Sequence, residues 1–296
     1  MKQLLFSALL FGLFTVQVSA QSGWTKPQGE GFFKLSQDIL RAGSFFNPDG
    51  EIIDITTTSV YSTNLYAEYG FTPNLTGILT MPMVVRSTIN ELRSNVDTVV
   101  VPGDEFTGFG DVRLGLKYGF FQDRAIVMSV SGELKLPTGQ NVGGNSELLQ
   151  SGDGAWGFTG LVSASHSFYP TPVYVSLYAG YQWRGKADLD YSTGTEMVDY
   201  SDAARWGAEV GWSPSEQWQI ALKLNHLIAL DNGNGGGITG GSSIFGNRIS
   251  YFSLTPEVAY LLNNGIGFSF SMGTAMSAKN ILAAPNWNVG VVWILK

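Results

Sequence analysis

Between Gly108 and Gly139 the chain alternates polar and apolar residues without a slip. Val112, Leu114, Leu116, Tyr118 and Phe120 fall on one side of an extended backbone, with Asp111, Arg113 and Lys117 on the other. After a polar turn at 121–124, Ile126, Met128, Val130, Leu134 and Leu136 oppose Ser129, Ser131, Glu133 and Lys135. Successive strand side chains point to opposite faces. The pattern therefore predicts a hairpin of two strands of about ten residues, the length that crosses a bilayer at barrel tilt.

The same period recurs at 30–40, 59–70, 76–87, 155–168, 173–184, 203–212, 217–228, 250–261, 265–276 and 287–296. These segments add Lys34, Asp38, Glu68, Arg184, Arg205, Glu209, Lys223 and Glu257 to the polar side. In 76–87 the alternation blurs around Pro82, which cannot donate to a ladder, so a bulge is expected there. Short turns at 72–74, 122–123, 170–172, 213–215 and 263–265 alternate with long connections at 41–57, 88–107, 137–153, 185–201, 230–247 and 277–285. Short periplasmic turns alternating with long external loops are the asymmetry of an outer-membrane barrel. The reading is all-β: a transmembrane, antiparallel, up-and-down barrel of about twelve strands with both ends periplasmic.

Composition changes this picture in three ways. Lys2, an apolar run over 4–18 and Val18-Ser19-Ala20 form a secretory signal, so 1–20 is expected to be removed, leaving 21–296 as one barrel domain. Beyond it no apolar run of about 18 residues occurs, and no transmembrane helix is expected. Without Lys2 the chain carries 24 acids against 16 bases, which argues against nucleic acid as a partner. The absence of cysteine excludes disulfides and thiolate chemistry. Tyr69, Trp183, Trp206, Trp212, Trp218, Tyr260 and Trp293 lie near strand ends, where amphipathic rings prefer headgroup depth.

GFGDVRLGLKYGF followed by LKLPTG, carrying Gly108, Gly110, Asp111, Lys117, Tyr118, Leu136, Pro137, Thr138 and Gly139, resembles the outer-membrane family of meta-pathway phenol-degradation transporter-like proteins. The turn YGFTPNLT at 69–76 agrees. That family is grouped with the FadL-type channels. The resemblance implies a barrel that passes small molecules, apolar and aromatic ones included. The chain departs from FadL proper in having too few strands for fourteen and no long N-terminal hatch.

The chemistry-bearing patterns resolve less. The Gly-rich segment 232–241 lacks the Gly-Lys-Ser/Thr ending of a phosphate loop and reads as an external loop. The acids at 104–105 and Asp188, Asp190, Glu196, Asp199 and Asp202 fit no metal-loop spacing and read as solvated surface. His226 follows the outward parity, but no serine stands at a matching position, so no catalytic, metal or cofactor site is assigned. His166 reads as a polar residue of the periplasmic rim.

The site is instead the inward set: Asp111, Arg113, Lys117, Glu133, Lys135, Arg184, Arg205, Glu209, Lys223 and Glu257. These residues line a wet pore or pair across it and close it. The expected function is passive passage of small molecules through the outer membrane. The alternatives are a structural or partner-binding barrel and, less favoured, a lipid hydrolase. The expected partners are outer-membrane lipids, lipopolysaccharide and a small solute.

Overall fold

The computed structural model describes residues 21–95, 98–234 and 246–296. The expected signal at 1–20 and residues 235–241 of the Gly-rich segment lie outside the described residues. In chain order the strands are β1 (Gly31–Phe46), β2 (Ile52–Thr72), β3 (Leu75–Ile89), β4 (Leu92–Arg93), β5 (Val99–Val101), β6 (Asp104–Gly108), β7 (Val112–Phe120), β8 (Ile126–Leu136) and β9 (Gly157–Ser167). They continue with β10 (Val173–Arg184), β11 (Lys186–Tyr191), β12 (Gly194–Asp199), β13 (Ala203–Trp212), β14 (Trp218–Ala229), β15 (Ser250–Leu261), β16 (Ile266–Lys279), β17 (Ile281–Leu282) and β18 (Asn286–Leu295).

Every pairing in the main sheet is antiparallel, and β1 closes the ring by pairing with both β2 and β18. With β6 and β7 taken as one interrupted strand, and β17 as an addition beside the end of β1, the wall has twelve strands. A closed ring leaves no unpaired edge, the condition for a sheet to sit in hydrocarbon.

The two faces invert the soluble pattern. Leu116 is 54 % exposed and its neighbour Lys117 0 %; Leu177, Val162, Phe268 and Val289 are likewise bare on the outside. Buried polar residues face inward from strand after strand, among them Ser129, Ser131, Ser163, Ser165, Ser176, Ser269 and Ser271. An apolar outer surface around a polar interior is stable only where the outside solvent is lipid. Aromatic rings mark the two rims of the apolar band. Trp212, Trp218, Tyr260, Phe268 and Trp293 lie beside the short turns, and Trp156, Phe158, Trp183 and Trp206 lie towards the long loops.

The bulge expected at Pro82 is present. Pairing of β2 with β3 shifts register between Thr63 and Asn64, opposite Pro82, and β3 changes partner there from β7 to β6. Gly110 bridges the gap, its N–H donating to the Pro82 carbonyl at 2.9 Å.

Several expected long loops are largely strand. β1 runs to Phe46 and β2 begins at Ile52, so 41–57 is a hairpin standing above the membrane; 277–285 is shortened in the same way by β16 and β17. The β-branched run Ile52-Ile53-Asp54-Ile55-Thr56-Thr57-Thr58 favours extended backbone after the lipid-facing alternation ends. Loop 185–201 is likewise a hairpin, β11–β12. Ala187, Leu189, Val198 and Tyr200 of this segment pack on Ala155 to form a small apolar cap.

Candidate functional site: the barrel interior and its two closures

Residues 21–30, ahead of β1, turn into the periplasmic mouth instead of trailing away. Gly23 N–H donates to Ser165 Oγ at 2.8 Å, and Ser129 Oγ donates to the Ser22 carbonyl at 3.0 Å. Gln122 Nε2 donates to the Gly23 carbonyl at 2.8 Å, and Lys26 N–H to Thr76 Oγ1 at 2.8 Å. These bonds satisfy the main chain of a segment whose strand pairing is limited to a single bridge, Gln28 with Gly70 of β2. Gly23 is required by the fit, because a Cβ there would lie 2.5 Å from the Val127 carbonyl oxygen. Trp24 sets its ring edge-on to Tyr174 at 5.8 Å. A small cavity of about 10 Å³ lies between Gln21 and Ser176, Tyr178, Glu209, Lys223 and Asn225.

Charges complete this plug. Glu68 accepts Lys26 and Lys117, each at 3.5 Å, and a hydrogen bond from Tyr66 Oη at 2.5 Å. Lys117 Nζ also donates to the Trp24 carbonyl at 3.4 Å. Beside them Glu257 takes Lys223 at 3.0 Å and Lys34 at 3.7 Å, while Tyr174 Oη donates to Glu209 at 2.5 Å. Buried charges are tolerated when paired and hydrogen-bonded in this way.

The extracellular mouth is narrowed by loop 137–156 after β8, which folds inward. Ser87 Oγ donates to the Gln150 carbonyl at 2.7 Å, and Ser151 Oγ to that of Phe109 at 2.8 Å. The Asp111 carboxylate, at the outer end of β7, accepts the N–H of Gly139 and that of Asp153, both at 2.9 Å. A Cβ at Gly152 would stand 2.7 Å from that carboxylate, so glycine is what lets the loop seat. Asp153 then lies between Lys135 and Arg184, the latter at 3.0 Å, with all three side chains buried. Arg184 stacks on the Tyr200 ring at 4.2 Å, tying the latch to the β11–β12 hairpin.

Burial raises the Asp153 pKa, but Lys135 and Arg184 outweigh it and hold the carboxyl below the usual range. Burial and the neighbouring Asp153 push Asp111 up to about 6.

The ten inward residues named from the sequence thus divide. Lys117, Lys223, Glu209 and Glu257 join the periplasmic networks, and Lys135, Arg184 and Asp111 the extracellular latch. Arg113, Glu133 and Arg205 form no ion pair or hydrogen bond among the described residues. Alternation assigned faces, but it did not reveal Ser22–Lys26 or Asp153. The signal for the first was an aromatic and a lysine, Trp24 and Lys26, in a segment too short to be a strand. For the second it was Leu148-Leu149, an apolar pair inside a polar loop, whose Leu149 is fully buried.

Other expectations changed as well. Asp104 staples the loop by accepting the Ser146 N–H at 2.8 Å, and Asp202 accepts Tyr181 Oη at 2.5 Å and the Arg184 N–H at 2.9 Å, so neither acid is simply solvated. His226 is wedged on the outer face between Trp206 and Phe252, at 5.1 and 5.6 Å, and its Nδ1 has no hydrogen-bond partner among the described residues. A catalytic base needs an orienting group at that nitrogen.

The sequence model of the family described as "Putative MetA-pathway of phenol degradation" matches residues 42–286, from the upper part of β1 to the start of β18. The chain belongs to this family. Among solved structures, the COG4313 outer membrane channel from Pseudomonas putida F1 is similar, with a TM-score of 0.68 at 14% identity over 94% of this chain and 100% of that one. The NanC porin is similar with a TM-score of 0.53 at 10% identity, covering 88% of this chain and 98% of that one. Identities this low carry the fold: the phenol-degradation family member is an outer-membrane barrel of the kind these channels share. No curated protein sequence matches the chain.

Proposed function

We propose that this protein is a passive channel for small molecules across the outer membrane, closed at rest by residues 21–30 below and loop 137–156 above. The observation that carries this reading is that chain segments outside the wall fold into both mouths and bond to its inward side chains. The twelve-stranded ring is complete without either segment, so both can move while the barrel stays intact. Between them the interior remains polar, with Arg113 exposed to solvent on the inward face. The barrels it resembles include one titled an outer membrane channel and one titled a porin, in keeping with this assignment.

The test is planar-bilayer conductance and liposome uptake, with the wild type compared to a form lacking residues 22–28 and a form with loop 140–151 shortened. Currents that grow as each closure is removed support the channel. A folded barrel that stays silent with both removed overturns it. The many bonds that hold both segments favour, as a second reading, a closed barrel that presents its β11–β12 hairpin to a partner; the silent outcome is the one that reading expects.

A further inference from the structure

On the outer wall, the side formed by β1, β2 and β3 changes character just above the apolar band. Outward residues pass from apolar to polar within one step of each strand, from Ile39 to Arg41 on β1 and from Val84 to Arg86 on β3. The register sets the polar ones in two rows. Arg41, Ser59, Thr88 and Glu105 stand level across β1, β2, β3 and β6, with Tyr61 and Arg86 level with each other just below. Their sequence neighbours Val60, Val85 and Ser87 are buried on the inward face, so both rows look out of the barrel.

A cavity of about 600 Å³ opens over these rows, its lining completed by Ile89, Asn90, Glu91, Gly103, Asp104 and Asn145. Most small-molecule cavities are apolar with a few placed polar groups. This one is the reverse: hydroxyl, amide, guanidinium and carboxylate groups line it, with the Tyr61 ring and Ile89 as its apolar surfaces. A saccharide suits such a lining, because each sugar hydroxyl both donates and accepts while the C–H face of the ring rests on an aromatic side chain.

Two of the lining groups have bonds to offer. The acids are already engaged: Glu105 pairs with Arg86 at 2.5 Å, Glu91 with Arg93, and Asp104 accepts the N–H groups of Asn145 and Ser146 at 3.1 and 2.8 Å. Arg41 forms no ion pair or hydrogen bond among the described residues, so its guanidinium fork is open to a phosphate or carboxylate. Ser59, beside it in the row, is 1 % exposed, and its Oγ has no partner among the described residues. A buried hydroxyl is costly to leave unpaired, and here the protein leaves that bond for a bound group to supply.

We infer that this cavity binds the sugar head of an outer-leaflet glycolipid, an acidic saccharide of the lipopolysaccharide type. Arg41 takes its phosphate or carboxylate, Tyr61 lies against a sugar ring, and Ser59, Thr88 and Asn90 take its hydroxyls. The place on the wall selects a lipid-borne sugar over a free one. Directly below, Met83 and Val84 are exposed on the outer face, so one molecule can lay its acyl chains on the apolar band and its head in the cavity. The site lies outside the lumen and does not depend on whether the barrel conducts.

The experiment uses the full folded barrel, refolded in detergent free of bacterial lipid and read by native mass spectrometry. Deep-rough lipopolysaccharide is the probe. Phosphatidylglycerol, an anionic lipid without a sugar, and glucosamine 1-phosphate, a sugar phosphate without a lipid, are the comparisons. The expected result is one lipopolysaccharide per barrel, held at least about tenfold more tightly than either comparison. R41Q is expected to weaken it by about tenfold, the loss of one charge-assisted contact, and Y61A by less. R124Q, at an exposed periplasmic turn, is expected to leave it unchanged. Heat-modifiable gel mobility shows that each variant is a folded barrel. Equal affinity for phosphatidylglycerol overturns the saccharide assignment, and equal affinity for glucosamine 1-phosphate overturns the choice of a lipid-borne sugar. Wild-type binding by folded R41Q and Y61A, or an equal loss in R124Q, overturns the site. None of these outcomes bears on conductance, so the channel reading stands or falls separately.

Discussion

The two mouths of this barrel are closed by different physics. At the periplasmic end, residues 22–26 are held mainly by serine and threonine hydroxyls, the Gln122 amide and one edge-on ring pair, with Lys26 and Lys117 adding a charged contact through Glu68 and the Trp24 carbonyl. At the extracellular end, loop 137–156 hangs on carboxylates: Asp153 between Lys135 and Arg184, and Asp111 beneath two loop N–H groups. Neutral hydrogen bonds do not titrate and are little affected by salt. The cluster of Asp153, Lys135 and Arg184 depends on the charge of every one of the three, so losing one leaves the others uncompensated. The lower closure therefore rests mostly on neutral bonds, as a plug, and the upper one mostly on charges, as a latch.

The largest effect should come from breaking the plug. Removing residues 22–28 takes away every bond named above at the lower mouth and frees Lys117 and Glu68 to pair with each other alone. Single-channel conductance is expected to rise severalfold with the barrel still folded. Gly23→Val should do nearly the same without shortening the chain, because its Cβ cannot approach the Val127 carbonyl. If neither changes conductance, the lower closure is not the barrier and the contrast drawn here fails.

Next in size is Asp153→Asn. It leaves Lys135 and Arg184 buried beside each other with no carboxylate, and breaking a buried pair on one side costs about 3–5 kcal/mol. The loop can escape part of that cost by undocking. The expected result is rapid proteolytic nicking within 140–151, against a resistant wild type, and a lower melting temperature. Rescue by Lys135→Met in the same chain would show that the uncompensated cation, not a lost loop contact, drives the opening.

What could be read from the sequence follows the same divide. The wall was legible: period-two alternation recurs in strand after strand because a lipid face tolerates so few exceptions, and its one blur, around Pro82, marked the bulge. The faces of Lys117, Lys135 and Glu257 came with it. Their partners did not. Glu68 finds Lys26 from a segment with no periodicity, and Asp153 reaches Lys135 from a loop whose course is set by Gly139, Gly152 and the Asp111 carboxylate. Alternation encodes direction across a sheet. It carries no information about how far an irregular segment travels before it meets the wall.

A smaller effect, and the one that separates the closures most cleanly, is pH. Asp111 has its pKa raised to about 6 by burial and by the facing Asp153, against an ordinary value of 3.8. The docked loop therefore binds a proton more tightly than the undocked loop does. Docking strengthens as pH falls from above 6 towards 4 and loses that contribution as pH rises through 6. Asp153 keeps its charge throughout this window because its own pKa is depressed, so the latch survives while the repulsion within it is relieved. Loop protection from protease should rise between pH 7 and pH 5 in the wild type and stay flat in Asp111→Asn. Hydrogen-exchange protection factors of residues 22–26, which remove the intrinsic pH dependence of exchange, should not change over the same range.

The smallest expected effect tests whether the plug is graded or all-or-none. Trp24→Ala removes one ring contact with Tyr174 but leaves the backbone bonds of Ser22, Gly23 and Lys26 in place. An aromatic pair of this geometry contributes about 0.5–1.5 kcal/mol beyond its buried area. If the segment is held by several independent bonds, the variant should raise the open probability by roughly a factor of ten or less at unchanged unit conductance, since about 1.4 kcal/mol is tenfold. A full switch to the conductance of the 22–28 deletion would instead show that Trp24 is the keystone on which the hydroxyl contacts depend. In that case the lower closure, like the upper one, would turn on a single side chain.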